Sequence, residues 1–404
     1  MTTRFRLLLC LVPLTVALAL AGCAAPPVGP PSATVLRDEL FRPDSRPADT
    51  EQVLALSPEM HDYLEKVILP QARRVGTRQG LLDALYQRSQ LKLEYDADFT
   101  RSAAEAFAAR RGNCMSLVLM TAAFAKALNL PVRYNDVFVE SQWRRTAQLD
   151  LVSGHVNLTL GYTLGERAGN AGTRDVLVVD FLPSEDLRGQ RSREIEERTI
   201  LAMYMNNRAA ELLMQGDVDQ AYWWARSAVL GDSRFLGSYN TLGVIYRRHG
   251  HPQLAEQVFR QVLALEPANV PALSNLVLTL REQGRGADAQ PFALRLAQIQ
   301  PDPPYKYYDL GLAALRAGDF QGAKRQFRRE LDRMSYSSEL HFLLAMAHYA
   351  LGELDEAREQ LVQAREQSAG EQDRQRYAAK LAALRANSRL APPGGRAGTG
   401  ERQL

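Results

Sequence analysis

The sequence predicts an α+β core followed by an all-α array of helical hairpins, with a membrane-directing leader in front of both. Three observations carry that prediction. An uncharged apolar run fills residues 7–20, directly after Arg4 and Arg6. A long apolar segment opening at Cys114 is followed by three stretches of alternating apolar and polar residues. From Gly216 onward, glycines recur at a constant spacing of 34 residues. A chain of 404 residues exceeds what one hydrophobic core accommodates, so several domains are expected. Its 49 basic and 46 acidic residues give +3, too near neutrality to mark a nucleic-acid binder, and none is expected as a partner. Three cysteines build neither a disulfide framework nor a four-thiolate zinc site, so Cys10, Cys23 and Cys114 are read singly.

The leader combines a basic start, a short apolar stretch and small residues at its end, the pattern of a secretory signal. Its apolar run is shorter than the roughly 20 residues of a spanning helix. Leu20-Ala21-Gly22-Cys23 resembles the lipobox of bacterial lipoproteins. That resemblance implies cleavage after residue 22, with diacylglycerol on the sulfur of Cys23 and an acyl chain on its amino group. Ala24, where an aspartate would imply retention in the inner membrane, implies the outer membrane facing the periplasm. Residues 23–50 include APPVGPPSA and hold Pro43 and Pro47, so they read as a semi-extended tether.

Residues 51–200 form the expected α+β domain. Its first part reads as helices: Ser57 caps a helix with Pro58 at its first position, and Ser102 with Glu105 forms a capping-box pattern. Arg111-Gly112-Asn113-Cys114 then opens the run MSLVLMTAAFAKALNL. Asn113 as N-cap places Cys114 in the first helical turn, where free N–H groups and the macrodipole favour a thiolate. Gly112 lets the backbone turn sharply and leaves room beside the sulfur. Segments 132–140, 155–164 and 175–183 read as strands of an antiparallel meander. His155 begins one strand and Asp180 lies near the end of the next, so neighbouring strands can bring them together. A thiolate, an imidazole and an orienting carboxylate suit acyl transfer. Asp136, Asp150 and Asp175 compete for the third role, and Tyr95 or Gln90 for a second oxyanion donor beside the Cys114 N–H.

This stretch resembles the transglutaminase-like superfamily, which shares the papain-type fold. The matching residues are Gly112, Cys114, the helix end Ala127-Leu128-Asn129-Leu130-Pro131-Val132-Arg133, His155 and Val179-Asp180. The resemblance implies Cys114 as nucleophile, His155 as general base and acid, and Asp180 as its orienter. It departs from the family pattern in having Phe181 after the aspartate and no tryptophan close to His155. No phosphate-cradling glycine motif or metal cluster is read here, so neither cofactor nor metal is expected.

Residues 202–371 are expected to form five helical repeats. Gly216, Gly250, Gly284, Gly318 and Gly352 separate the two helices of each unit. Ala221, Ala255, Ala289, Ala323 and Ala357 let the pair approach closely, and Leu242, Leu276, Leu310 and Leu344 form a third series in register. The unit from Tyr239 to Pro267 resembles a tetratricopeptide (TPR) repeat at Leu242, Gly243, Tyr246, Gly250, Ala255, Phe259 and Pro267. The family's geometry implies a superhelix whose concave side holds a protein or peptide partner. Asn240, Arg247, Arg248, Ser274, Arg281, Tyr308, Phe342 and Tyr349 are the groove positions it implies. Residues 372–387, with Tyr377, Leu381 and Leu384 on one face, fit a capping helix, and 388–404 a disordered tail. The expected function is a lipid-anchored, periplasm-facing cysteine enzyme acting on amide bonds through a thioester, resolved by water or by an amine. The alternative is a non-catalytic assembly scaffold carrying a degenerate transglutaminase-like domain.

Overall fold

A computed structural model describes residues 33–44, 49–87, 91, 93–96, 99–146, 149–161, 177–181, 191–303, 305–334, 337–368 and 371–390. The leader, Cys23, Gln90, Asp175 and the tail beyond 390 lie outside the described residues. Chain contacts divide the molecule into two compact units, Met1–Val139 with Gly154–Leu296 and Glu140–Ser153 with Ala297–Leu404.

The first unit begins with a cluster of short helices: α1 Thr50–Val53, α2 Pro58–Tyr63, α3 Leu69–Val75 and α4 Thr77–Tyr86. Ser57 caps α2 through the Met60 N–H, and Pro58 takes the first position, where its missing donor costs nothing. A π-helical turn, Leu64–Ile68, joins α2 to α3. Strand β1, Glu94–Tyr95, pairs in parallel with β2, Arg111–Gly112, and helix α5, Ala103–Ala109, lies between them in sequence. The capping box of α5 forms as its sequence requires, with Ser102 and Glu105 exchanging bonds with each other's backbone.

Helix α6, Cys114–Ala127, is buried through nearly its whole length, from Cys114 to Ala125. An all-round apolar helix of that kind belongs at the centre of a core. It shares one hydrophobic cluster with α4, α5, the strands and α7, in which Met60, Leu81, Phe124, Leu158 and Ile200 are fully enclosed. The four-stranded sheet has the order β5-β4-β3-β6, with β3 Val132–Thr146, β4 Leu149–Leu160, β5 Leu177–Val179 and β6 Arg191–Ile195. Strands β3 and β4 run further than the alternating segments alone suggest. Strand β6, RSREI, is an exposed antiparallel edge paired to β3. It was not expected from the sequence, because an edge strand facing water carries no apolar alternation.

Helices α7 Glu197–Met214, α8 Val218–Gly231, α9 Leu236–Arg248, α10 Pro252–Leu265, α11 Val270–Glu282 and α12 Gly286–Ile299 follow as hairpins. Ile200, Ala202, Tyr204 and Met205 of α7 and Ala228 of α8 belong to the same core as Cys114. The first repeat is therefore built into the α+β part of this unit, and the compact unit does not stop at residue 200.

The second unit holds α13 Lys306–Arg316, α14 Phe320–Leu331, α15 Ser338–Ala350, α16 Leu354–Glu366 and α17 Glu371–Leu390. Phe327, Leu340 and Leu344 form one of its cores. Leu381 and Leu384 of α17 close another against Ala345, Ala357 and Leu361. All five period-34 glycines have φ between 74° and 84°, the left-handed conformation that ends one helix and releases the chain into the next. The five alanines of the second series are at most 1% exposed, and a larger side chain there would push paired helices apart. The leucine series is less uniform: Leu242, Leu276 and Leu344 are buried, but Leu310 is 47% exposed. Among the described residues no helix is long and apolar enough to cross a membrane.

Candidate functional site

The first turn of α6 is fixed by three polar residues. Asn113 accepts the Ser116 N–H at 2.9 Å and the Ser116 hydroxyl at 2.8 Å, and its amide donates to the Thr100 hydroxyl at 2.9 Å. The Ser116 hydroxyl in turn accepts from the Arg101 N–H. These bonds join the loop at 99–101 to the helix start, one residue from Cys114. Glu211 of α7 accepts from the Thr100 N–H at 2.7 Å and pairs with Arg208, which extends the brace to the first repeat. Gly112 is a tight position in the structure. A Cβ there would stand 2.6 Å from the Ser116 side chain, so the missing side chain serves packing against α6.

Cys114 is the free cysteine of the described residues and is 9% exposed. His155 on β4 is 3% exposed and lies close enough to the Cys114 sulfur for each to act on the other's charge. Asp180, immediately after β5, approaches the His155 Nε2 through its Oδ1 at 2.7 Å. The pairing follows from strand register: Leu158 stands opposite Val179 in the antiparallel β4–β5 ladder, which carries His155 and Asp180 to the same end. The structure thus brings together Cys114, His155 and Asp180. Burial alone would lower the His155 pKa, but its hydrogen bond to Asp180, the adjacent Cys114 sulfur and the charges of both raise it to about 9.

Two residues missed in the sequence complete this constellation. Asn157 Nδ2 donates to Asp180 Oδ2 at 2.7 Å, and Asn135 Nδ2 donates to Asn157 Oδ1 at 2.8 Å and to Thr159 Oγ1 at 2.9 Å. Both carboxylate oxygens of Asp180 are therefore held, one by the imidazole and one by an amide. A signal was present in HVNLTL. His155, Asn157 and Thr159 alternate with Val156, Leu158 and Leu160, and all six are buried. Polar residues repeating every second position in a strand buried on both faces must have partners, because unpaired buried polar groups are costly. Phe181 packs on Tyr86, with ring centroids 5.5 Å apart, and the Tyr86 hydroxyl bonds Thr121 of α6.

The rival residues fall elsewhere. Asp136 pairs with Arg193 across the β3–β6 edge. The side chain of Asp150 and all of Asp175 lie outside the described residues. Tyr95 stands opposite Gly112 in the β1–β2 pair, with its side chain 54% exposed, and Gln90 is not described. Among the described residues no cluster of three or more metal-ligating side chains occurs.

The groove positions divide between the units. In the first, the Asn240 side-chain oxygen accepts from Asn275 at 3.1 Å, and Arg247 pairs with Glu282 at 2.8 Å. Both bonds link one repeat to the next. Arg248 is half-buried and Arg281 and Ser274 are exposed. In the second unit the Tyr308 hydroxyl donates to Glu339 at 2.8 Å. Phe342 and Tyr349 pack against the cluster that holds Leu381 and Leu384 of α17. Phe342 also lies against Tyr377 of α17, with ring centroids 5.2 Å apart.

With these geometries in place, the part of the chain that known families match is the repeats. The tetratricopeptide-repeat family matches residues 246–308 and 308–371, and the chain carries TPR repeats there. TPR arrays are protein-interaction scaffolds. Among curated proteins, the type IV pilus assembly protein PilF of Pseudomonas aeruginosa is 28% identical over 121 residues, covering 30% of this chain and 48% of PilF. The chain thus spans about half the length of that relative. A solved structure from the functional characterization of P. aeruginosa PilF covers 50% of this chain and 96% of its own, at 20% identity and TM-score 0.31. A thermophilic TPR protein of Thermus thermophilus covers 45% and 99%, at 20% identity and TM-score 0.30.

Proposed function

We propose that this chain is a TPR scaffold that presents a polypeptide partner to a thiol-dependent acyl-transfer centre at Cys114. The observation that carries the catalytic part is the bond from His155 to Asp180 with Cys114 beside the imidazole, at the N-terminus of a buried helix. In this reading the Cys114 thiolate attacks an amide carbonyl, and the bond to the leaving amine breaks as His155 gives it a proton. A thioester on Cys114 remains, resolved by water or by a primary amine. Asp180 fixes the imidazole tautomer, and Asn157 fixes Asp180. The α+β part would be a transglutaminase-like, papain-type domain. The lipobox pattern at Leu20–Cys23 supports anchoring by lipid at Cys23, on the periplasmic face of a bacterial outer membrane.

A second reading has its own support. Both family matches fall on the repeats, and the curated relative is an assembly protein. In this reading the chain is a scaffold without turnover, and the Cys114 constellation is a structural remnant. A thiol-reactive probe at neutral pH separates the two. An activated nucleophile gives stoichiometric labelling of Cys114 that falls at least about tenfold in His155→Ala with the fold retained. Slow labelling that ignores His155→Ala leaves the scaffold reading. Mass spectrometry of the mature N-terminus tests the anchor, which an unmodified Cys23 excludes.

A further inference from the structure

Part of the stretch expected to be a tether is docked. Residues 33–42 form only two three-residue 3-10 turns, Ala33–Val35 and Asp38–Leu40, yet they lie against α8 and α9 through a dense set of specific contacts. The backbone is held at both ends. The Tyr246 hydroxyl donates to the Val35 carbonyl at 2.6 Å, and the Arg37 N–H donates to the Tyr222 hydroxyl at 2.9 Å. Trp223 Nε1 donates to the Arg42 carbonyl at 2.7 Å, while Asp219 accepts the Arg42 N–H at 2.9 Å. Two side chains are read individually. Asp38 receives the Tyr222 hydroxyl at 2.6 Å and Arg226 Nε at 2.9 and 3.0 Å. Phe41 stacks on Tyr222 at 3.8 Å and on His249 at 4.5 Å, and is 6% exposed.

This is how linear peptides are recognised: main-chain groups are pinned by side chains of the receptor, and pockets at fixed spacing take an acid and an aromatic ring. We propose that the face formed by Tyr222, Trp223, Arg226, Tyr246 and His249 is a peptide-recognition site, filled in cis by residues 35–42. Its ligand class is a segment with an acid and, three residues later, an aromatic. It is distinct from the expected groove, because none of these five residues is among the groove positions. The cis segment belongs to the same chain as its site, so its effective concentration is about millimolar, and a modest intrinsic affinity keeps the site filled. Occupancy also clips the N-terminal leash. If Cys23 carries lipid, as the proposed function holds, the ten residues from Cys23 to Ala33 span at most about 35 Å, and opening the clip lengthens that leash.

The test uses the full chain and a fluorescent peptide of residues 33–44, and its readout does not depend on lipid at Cys23. The Asp38→Ala/Phe41→Ala chain binds the peptide, the unaltered chain binds it about 100-fold more weakly, and a peptide carrying the same two substitutions does not bind. Equal binding by both chains, or none by a folded double variant, overturns the proposal. A second arm needs no destabilising change: a protease site placed within residues 45–48 of the full chain is cut. The N-terminal fragment should then co-elute with the body and exchange with labelled peptide. Loss of the fragment on cutting, with no peptide uptake by the emptied body, rejects the site.

Discussion

His155 is a buried side chain whose protonation its neighbours set. Its pKa of about 9 lies above the ordinary 6.5, so the folded state binds this proton more tightly than the unfolded chain does. The stabilisation is therefore complete below about pH 6.5 and is lost as pH rises through about 9. Urea midpoints of the unaltered chain should fall between pH 7 and 9.5, and a His155→Asn chain should lack that slope. Asn157 tests the same network from the other end. As a positioning residue it touches neither sulfur nor substrate, but it holds the Asp180 oxygen that His155 does not use. Asn157→Ala should slow thiol labelling of Cys114 by roughly tenfold, the kinetic equivalent of about 1.4 kcal/mol. Asn157→Asp should slow it further by placing a second carboxylate against Asp180. Both rates are read by intact-mass spectrometry across pH, with circular dichroism as the check on folding.

Among the elements, the helix ends are where sequence and structure agree most closely. Asn113, Ser57 and Ser102 cap the helices their positions predict, because a cap needs only a short polar side chain at one place in the chain. The period-34 glycines were legible for a similar reason. At Gly352, φ is 78° and a Cβ would meet nothing within 4 Å, so the cost of Gly352→Ala is backbone strain alone. It should destabilise the second unit by about 1–2 kcal/mol, measured by chemical denaturation. The start of α13 was not legible. There Glu330, fully buried on α14, accepts from the Tyr305 and Tyr307 N–H groups at 3.1 and 2.9 Å. A carboxylate supplied from another helix leaves no local pattern. Glu330→Ala strands those donors, and a loss of about 2–3 kcal/mol is expected from the same measurement.

Considered as a whole molecule, the first unit does not keep its α+β part and its repeats apart. Ile200 of α7 is fully buried in the core that contains Cys114, and Glu211 of the same helix braces the loop at 99–101. Ile200→Ala should therefore cost about 2–5 kcal/mol and raise native-state exchange of amides in α6 as well as in α7. Independent domains would confine the increase to α7 and α8. The same coupling means that truncation after residue 200 should leave an α+β part that does not fold.

The sequence by itself determined the repeat period, the helix caps, and which cysteine, histidine and aspartate stand on which kinds of element. Those features are local, or periodic, and each is written in residues near one another in the chain. Only the tertiary structure decided that Asn157 and Asn135 extend the bonds beyond Asp180, and that β6 forms an edge of the sheet. It also decided that α17 packs against Phe342, and that residues 33–42 are docked and not free. In each case the partners are far apart in sequence, and the bond depends on strand register or helix packing, which no short stretch of residues encodes.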